Sequence, residues 1–91
     1  MNKTQDAKCK RIFDHFGLEH QYGKAVEELS ELNEAIVQRP STGIRPIISE
    51  LADVLIMCRQ LEIGIGSFIV DLEIESKLDR TLERIESGYY K

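Results

Sequence analysis

Ile47-Ile48-Ser49-Glu50-Leu51-Ala52-Asp53-Val54-Leu55-Ile56-Met57-Cys58-Arg59-Gln60-Leu61 turns an apolar residue toward almost every side of a helix. Ile47, Ile48, Leu51, Val54, Leu55, Cys58 and Leu61 recur at helical spacing and predict a core stripe. Ala52, Ile56 and Met57 extend apolar surface around the rest of the circumference. A helix that is apolar nearly all round is covered nearly all round. With 91 residues, the chain is expected to bury only about 60–65 % of its unfolded surface. Too little protein remains to enclose this segment. The sequence therefore predicts a second copy of the chain, in a homodimer or a homotetramer made of two dimers.

Working outward, helical periodicity dominates and no stretch alternates strictly enough for a strand. A first helix is expected over residues 4–16, with Ile12, Phe13 and Phe16 on one side and Gly17 as its stop. A second is expected over 19–38, with Tyr22, Val26, Leu29, Leu32 and Ile36 as its apolar stripe. Arg39-Pro40-Ser41-Thr42-Gly43 reads as a loop. Pro46 suits the first turn of the third helix, which runs to about Glu62. After Gly64-Ile65-Gly66, Ser67 is placed to cap a fourth helix ending near Ser87, with Gly88 just past it. The expected fold is all-α: one domain over residues 1–91, a four-helix bundle completed by assembly.

Sixteen acidic against twelve basic residues give a net charge of −4, with no basic patch that would mark a nucleic-acid partner. No run approaches the length of a membrane span, and the start Met1-Asn2-Lys3-Thr4-Gln5-Asp6 lacks an apolar signal region. Cys9 and Cys58 read as reduced thiols, so the expected compartment is the cytoplasm.

Two segments repeat the same local text. Glu28-Leu29-Ser30-Glu31-Leu32 and Glu50-Leu51-Ala52-Asp53-Val54 both read acid, leucine, small residue, acid, aliphatic. Residues three apart share a helix face, so each doublet offers two carboxylates side by side. Glu28 is expected on the flank of the second helix's stripe with Glu31 beside it, whereas Glu34 points to solvent. Glu50 and Asp53 stand at the same offsets from Leu51 as Glu28 and Glu31 from Leu29. Antiparallel packing of the two stripes would gather four carboxylates at one rim. Crowded carboxylates repel unless a cation lies among them, and no His or Cys accompanies these acids. The donor set suits Mg²⁺, with Mn²⁺ as the alternative. His15 and His20 have no zinc-site spacing and read as structural or surface residues.

Gln21-x-x-Lys24-x-x-Glu27-Glu28-x-x-Glu31-Leu32, followed by Glu50-Leu51-x-Asp53, resembles the MazG-like all-α nucleotide pyrophosphohydrolases. The resemblance covers residues 18 to 90. It implies a helical dimer or dimer of dimers that hydrolyses nucleoside triphosphates to monophosphate and pyrophosphate with Mg²⁺. It also implies that Glu28, Glu31, Glu50 and Asp53 are the metal ligands and puts Gln21 and Lys24 beside the substrate. Family members use a Lys and an Arg of the C-terminal helix on the phosphates, a role that Lys77 and Arg80 match. Lys77, Arg80 and Arg84 share one helix face, although Glu73, Asp79 and Glu83 are placed to pair with them as a surface lattice. Glu27, next to the first doublet, is the candidate general base; a solvated residue is the plain alternative. Tyr89 and Tyr90 are suited either to stacking on a base or to closing the core. The chain ends soon after the fourth helix, without the segments that build a base pocket in larger relatives.

Other readings of the same residues stay open. Phosphoribosyl-ATP pyrophosphohydrolase uses similar doublets, but would need more basic residues around the first doublet than Lys24. A non-catalytic helical interaction or regulatory module would also show acidic faces. A carboxylate-bridged di-iron bundle is excluded, since it needs Glu-x-x-His pairs and neither histidine follows a Glu by three.

Overall fold

The structure is a computed structural model that describes residues 1–90, and every element among them is an α-helix. Five helices follow in chain order: α1 (Lys3–Phe16), α2 (Leu18–Val37), α3 (Arg39–Thr42), α4 (Arg45–Ile65) and α5 (Ser67–Glu86). α2 and α4 pack along their length, α1 lies against both, and α5 touches only α4.

Local chemistry sets the ends. Asn2 caps α1 by accepting from Gln5 N at 2.8 Å, and Gln5 Oε1 accepts from Asn2 N at 3.0 Å. This reciprocal cap satisfies two helix-terminal donors at once, and starts the helix one residue before the expected Thr4. Gly17 closes α1 at φ 83°, as expected, and serves as the junction into α2. Pro46 does occupy the first turn of α4. The expected loop after α2 is instead a single helical turn, α3. Pro40 stands in its first turn, and Thr42 Oγ1 donates back to Gln38 O at 3.1 Å. Ser67 does not cap α5. It is that helix's first residue, and its hydroxyl accepts from Arg59 Nη1 at 3.1 Å. Arg59 also binds Asp6 through Nε at 2.8 Å, so one side chain ties α1, α4 and the start of α5 together.

The apolar stripes are not where the periodicity put them. α2 buries Gln21, Ala25, Glu28 and Ala35, with Leu32 half-buried, while Tyr22, Val26, Leu29 and Ile36 stay exposed. At 100° per residue, its packed face is turned by roughly 80° from the expected stripe. α4 likewise buries Val54, Met57 and Gln60 and exposes Ile48, Leu51, Leu55 and Cys58. Small residues explain the choice: Ala25 and Ala35 let the backbones approach, and the large aliphatics are left for another surface. On α1, Cys9 is buried and Phe13 half-buried, whereas Ile12 and Phe16 are exposed. Gly64 admits the ring of Phe13, since a Cβ there would lie 2.7 Å from it.

One chain leaves much apolar surface uncovered. It exposes 7079 Å², against about 5,400 Å² for a compact monomer of 10.4 kDa. Its radius of gyration is 16.0 Å, against about 12 Å for a compact chain of this length. α5 accounts for much of the excess, with Ile74, Leu78, Leu82 and Ile85 exposed along one side. No helix among the described residues is long and apolar enough to cross a membrane.

Candidate functional site

α2 and α4 run antiparallel, so each step forward along α2 meets a step back along α4. Near one end Gln21 Nε2 donates to Gln60 Oε1 at 2.7 Å, 39 residues away in sequence, and both side chains are buried. Two turns further along α2, Glu28 and then Glu31 come opposite Asp53 and Glu50. Glu28 of the first doublet therefore enters the helix interface itself, while Glu31 stays exposed at its rim. Relative to the observed face of α2, Glu28 lies within it, Glu31 at its edge and Glu34 on the far side, which keeps Glu34 in solvent as expected.

Glu28, Glu31 and Glu50 each place a carboxylate oxygen within 4.8 Å of the other two. Glu28 is 9 % exposed and Glu50 half-buried. Oε2 of Glu28 and Oε2 of Glu50 are both buried with no hydrogen-bond partner among the described residues. A buried, ionised oxygen without a donor is costly, and native folds rarely leave one. The three carboxylates thus form a cluster that could hold a metal ion, with Glu28 buried, Glu50 half-buried and Glu31 exposed at its edge.

Burial, then the Glu31 carboxylate, raises the Glu28 carboxyl above the ordinary Glu range, and Asp53 adds to this while Lys24 opposes it. Asp53, expected as the fourth ligand, is half-buried and close enough for its charge to act on Glu28, but it stands outside the trio. Its side chain is one methylene shorter than that of the glutamates. Lys24 Nζ lies 3.4 Å from Glu28 and 3.5 Å from Glu27, and chiefly the charge of Glu27 raises the Lys24 ammonium. Glu27 is exposed at the rim, with Lys24 as its partner. The carboxylates thus have one cation nearby, and it is too exposed to neutralise them.

Beside the trio opens a cleft of about 630 Å³, with Lys24, Glu27, Glu28 and Asp53 at one end and Phe16 and His20 at the other. Gln21, named in the sequence beside the substrate, helps to wall it. Lys77 and Arg80 are exposed on α5, and no helix but α4 touches that element, so their own chain does not bring them to the carboxylates. Among the described residues neither pairs with Glu73, Asp79 or Glu83, so the expected surface lattice is absent; Arg84 instead lies over the Tyr89 ring at 4.8 Å. Tyr89 and Tyr90 are exposed and close no core within the chain.

Helical periodicity alone gives Phe16, His20 and Gln60 no place at the site. Gln60 follows Asp53 by two helical turns and Gln21 precedes Glu28 by two, a spacing that puts both amides on the carboxylate face. His20 has no site-like spacing in the sequence, yet its ring stacks on Phe16 at 4.6 Å and 14° and its Nδ1 lies 2.7 Å from Gln21 Oε1. Comparison with family models, with characterised proteins and with solved structures finds no match to this chain, so the site stands on its own geometry.

Proposed function

We propose that this chain is a Mg²⁺-dependent nucleoside triphosphate pyrophosphohydrolase of the MazG-like all-α type, converting a (d)NTP to the (d)NMP and pyrophosphate. The observation that carries the reading is the pair of buried, partnerless oxygens on Glu28 and Glu50, with Glu31 closing the trio. Such oxygens call for a cation, and an all-carboxylate set selects a hard divalent one.

Hydrolysis at Pα forms a bond from the water oxygen to phosphorus and breaks the bridging Pα–O bond; pyrophosphate leaves with the bridging oxygen. Glu28, Glu31 and Glu50 would hold Mg²⁺ (or Mn²⁺), with Asp53 beside them. When bound, the ion supplies charge neutralisation and a more acidic water. Glu27, exposed at the rim of the cleft, is the carboxylate that takes the water's proton. Lys24 holds Glu27 and Glu28 in place and offers its ammonium to the phosphates, and Gln21 walls the substrate cleft.

The working assembly is a homodimer or homotetramer. Support comes from the surface excess and from the uncovered aliphatics of α2, α4 and α5. In such an assembly Lys77 and Arg80 of a second copy add phosphate cations to the single Lys24 at each site. Two free cysteines fit a cytoplasmic setting. The test is pyrophosphate release from a panel of NTPs and dNTPs with Mg²⁺ and, separately, Mn²⁺. Turnover on at least one nucleotide is expected; none on any, with either ion, overturns the reading, and release of orthophosphate alone places the cleavage at a different bond.

A further inference from the structure

The cleft beside the carboxylates has a second end, and its chemistry differs from the first. Phe16, the last residue of α1, and His20, in the first turn of α2, stack almost parallel at 4.6 Å and 14°, and both line the cleft. His20 covers one face of Phe16 and the His15 ring meets it at 4.7 Å and 88°, yet Phe16 remains 47 % exposed, so part of the ring pair stays open to a ligand. On the same wall, Gly23 lies inside α2, where a Cβ would meet nothing within 4 Å. Glycine inside a helix is unfavourable relative to alanine, and here no neighbouring atom requires it. The missing side chain keeps the cleft wide between its aromatic and acidic ends.

The polar wall fixes a proton. Gln21 Nε2 donates to Gln60 Oε1 at 2.7 Å, which turns Gln21 Oε1 toward His20. That oxygen lies 2.7 Å from His20 Nδ1, and an amide oxygen can only accept, so Nδ1 carries the hydrogen. In its neutral form His20 then keeps a lone pair at Nε2, and no hydrogen bond among the described residues uses it. A flat ring that stacks on Phe16 and offers an N–H at its edge would satisfy both features.

We propose that Phe16 and His20 form the nucleobase subsite, so that the base is held in cis by α1 and the start of α2. Phe16 supplies stacking surface, and His20 Nε2 accepts from a base N–H. The identity of the ligand rests on the pyrophosphohydrolase reading; the subsite itself rests on the ring pair, the amide chain and the open wall at Gly23.

Inorganic tripolyphosphate, which has phosphates but no base, separates the two claims. Phe16→Leu and His20→Ala alter exposed side chains and should leave the helical signal and the oligomer unchanged. Each is expected to raise the KM for the preferred nucleotide about tenfold, within the range of one lost base stack, with tripolyphosphate hydrolysis unaltered. Equal effects on both substrates, or none on either, would overturn the subsite while leaving the hydrolase reading intact. A second measurement needs no turnover. The chain has two histidines, so the imidazole NMR signals of His20 are followed in metal-free protein as a nucleoside monophosphate is added. Ring-current shifts at His20 that vanish in Phe16→Leu support the subsite even if no triphosphate is hydrolysed. No shift at millimolar ligand with any of the common bases would overturn it.

Discussion

Oε2 of Glu28 on α2 and Oε2 of Glu50 on α4 are buried in the same helix interface, and neither receives a hydrogen bond from the described residues. The interface is thus built around an electrostatic demand that those residues do not meet. Replacing Glu50 by Gln removes one charge at nearly constant volume. Turnover is expected to fall at least a hundredfold while the oligomer and helical content persist. Full activity in this variant would show that the trio is not the metal site.

Glu28 links that demand to pH. Its folded carboxyl sits above the ordinary value of 4.5, first through burial and then through Glu31. Between 4.5 and the raised value, the folded chain holds a proton that the unfolded chain has released. Stability of the metal-free protein therefore falls as pH rises through that window. Glu28→Gln is expected to flatten this slope and to raise the Tm in EDTA at neutral pH. Added Mg²⁺ should raise the Tm of the wild type and leave the variant unmoved. Thermal melts from pH 4.5 to 8, with EDTA and with Mg²⁺, check both signs.

The Gln21–Gln60 amide pair lies in the same interface, two turns from the acids. Gln60→Leu puts an apolar side chain of similar size in its place and strips Gln21 of its acceptor. The expected loss is about 1–3 kcal/mol, the desolvation cost of a buried unsatisfied amide. Urea unfolding measures it; a change below the error of the method would mean that Gln21 finds another acceptor.

Gly64→Ala tests the α1–α4 contact. A Cβ there would lie 2.7 and 2.8 Å from ring carbons of Phe13 and 2.9 Å from Leu18 Cδ1. Alanine ordinarily improves a helix interior, yet here overpacking should cost about 1–3 kcal/mol. Gly64→Ala combined with Phe13→Leu should recover part of that loss, a coupling that a double-mutant cycle reads directly.

The cysteines should differ in reactivity. Burial is the largest cause that pushes the Cys9 thiol up, with Asp6 adding to it, while Cys58 is exposed in one chain. Maleimide at pH 7.5 should label Cys58 of a monomeric variant at least tenfold faster than Cys9. Leu78→Arg, on the bare side of α5, is expected to supply that monomer. If the proposed oligomer forms, Cys58 of the wild type should become slow as well, because the exposed face of α4 that carries it would be covered. Light scattering and mass mapping of the label check the pair of outcomes together.

Much of this chain is legible from its residues alone. Helix type, the stops at Gly17 and Gly88, the place of Pro46 and the gathering of Glu28, Glu31 and Glu50 all follow from spacing and local backbone preference. The surplus of apolar surface was legible too, because it is a count of side chains against chain length. Which stripe packs within the chain was not. Tyr22, Val26, Leu29 and Ile36 form the better apolar stripe, yet α2 meets α4 through Gln21, Ala25, Glu28 and Ala35. Periodicity reports which residues share a face. It cannot say which face lies against the same chain and which stays exposed on it.

The sequence by itself determined a helical chain with paired carboxylates and more apolar surface than it can cover, since these depend on residues a few positions apart. Only the tertiary structure decided that Glu28 enters the interface, that Asp53 stands aside, and that Phe16, His20 and the Gln21–Gln60 pair frame the cleft. Those outcomes depend on the rotation of α2 against α4, which is set by where alanines allow close approach, and no spacing along one helix fixes a rotation between two.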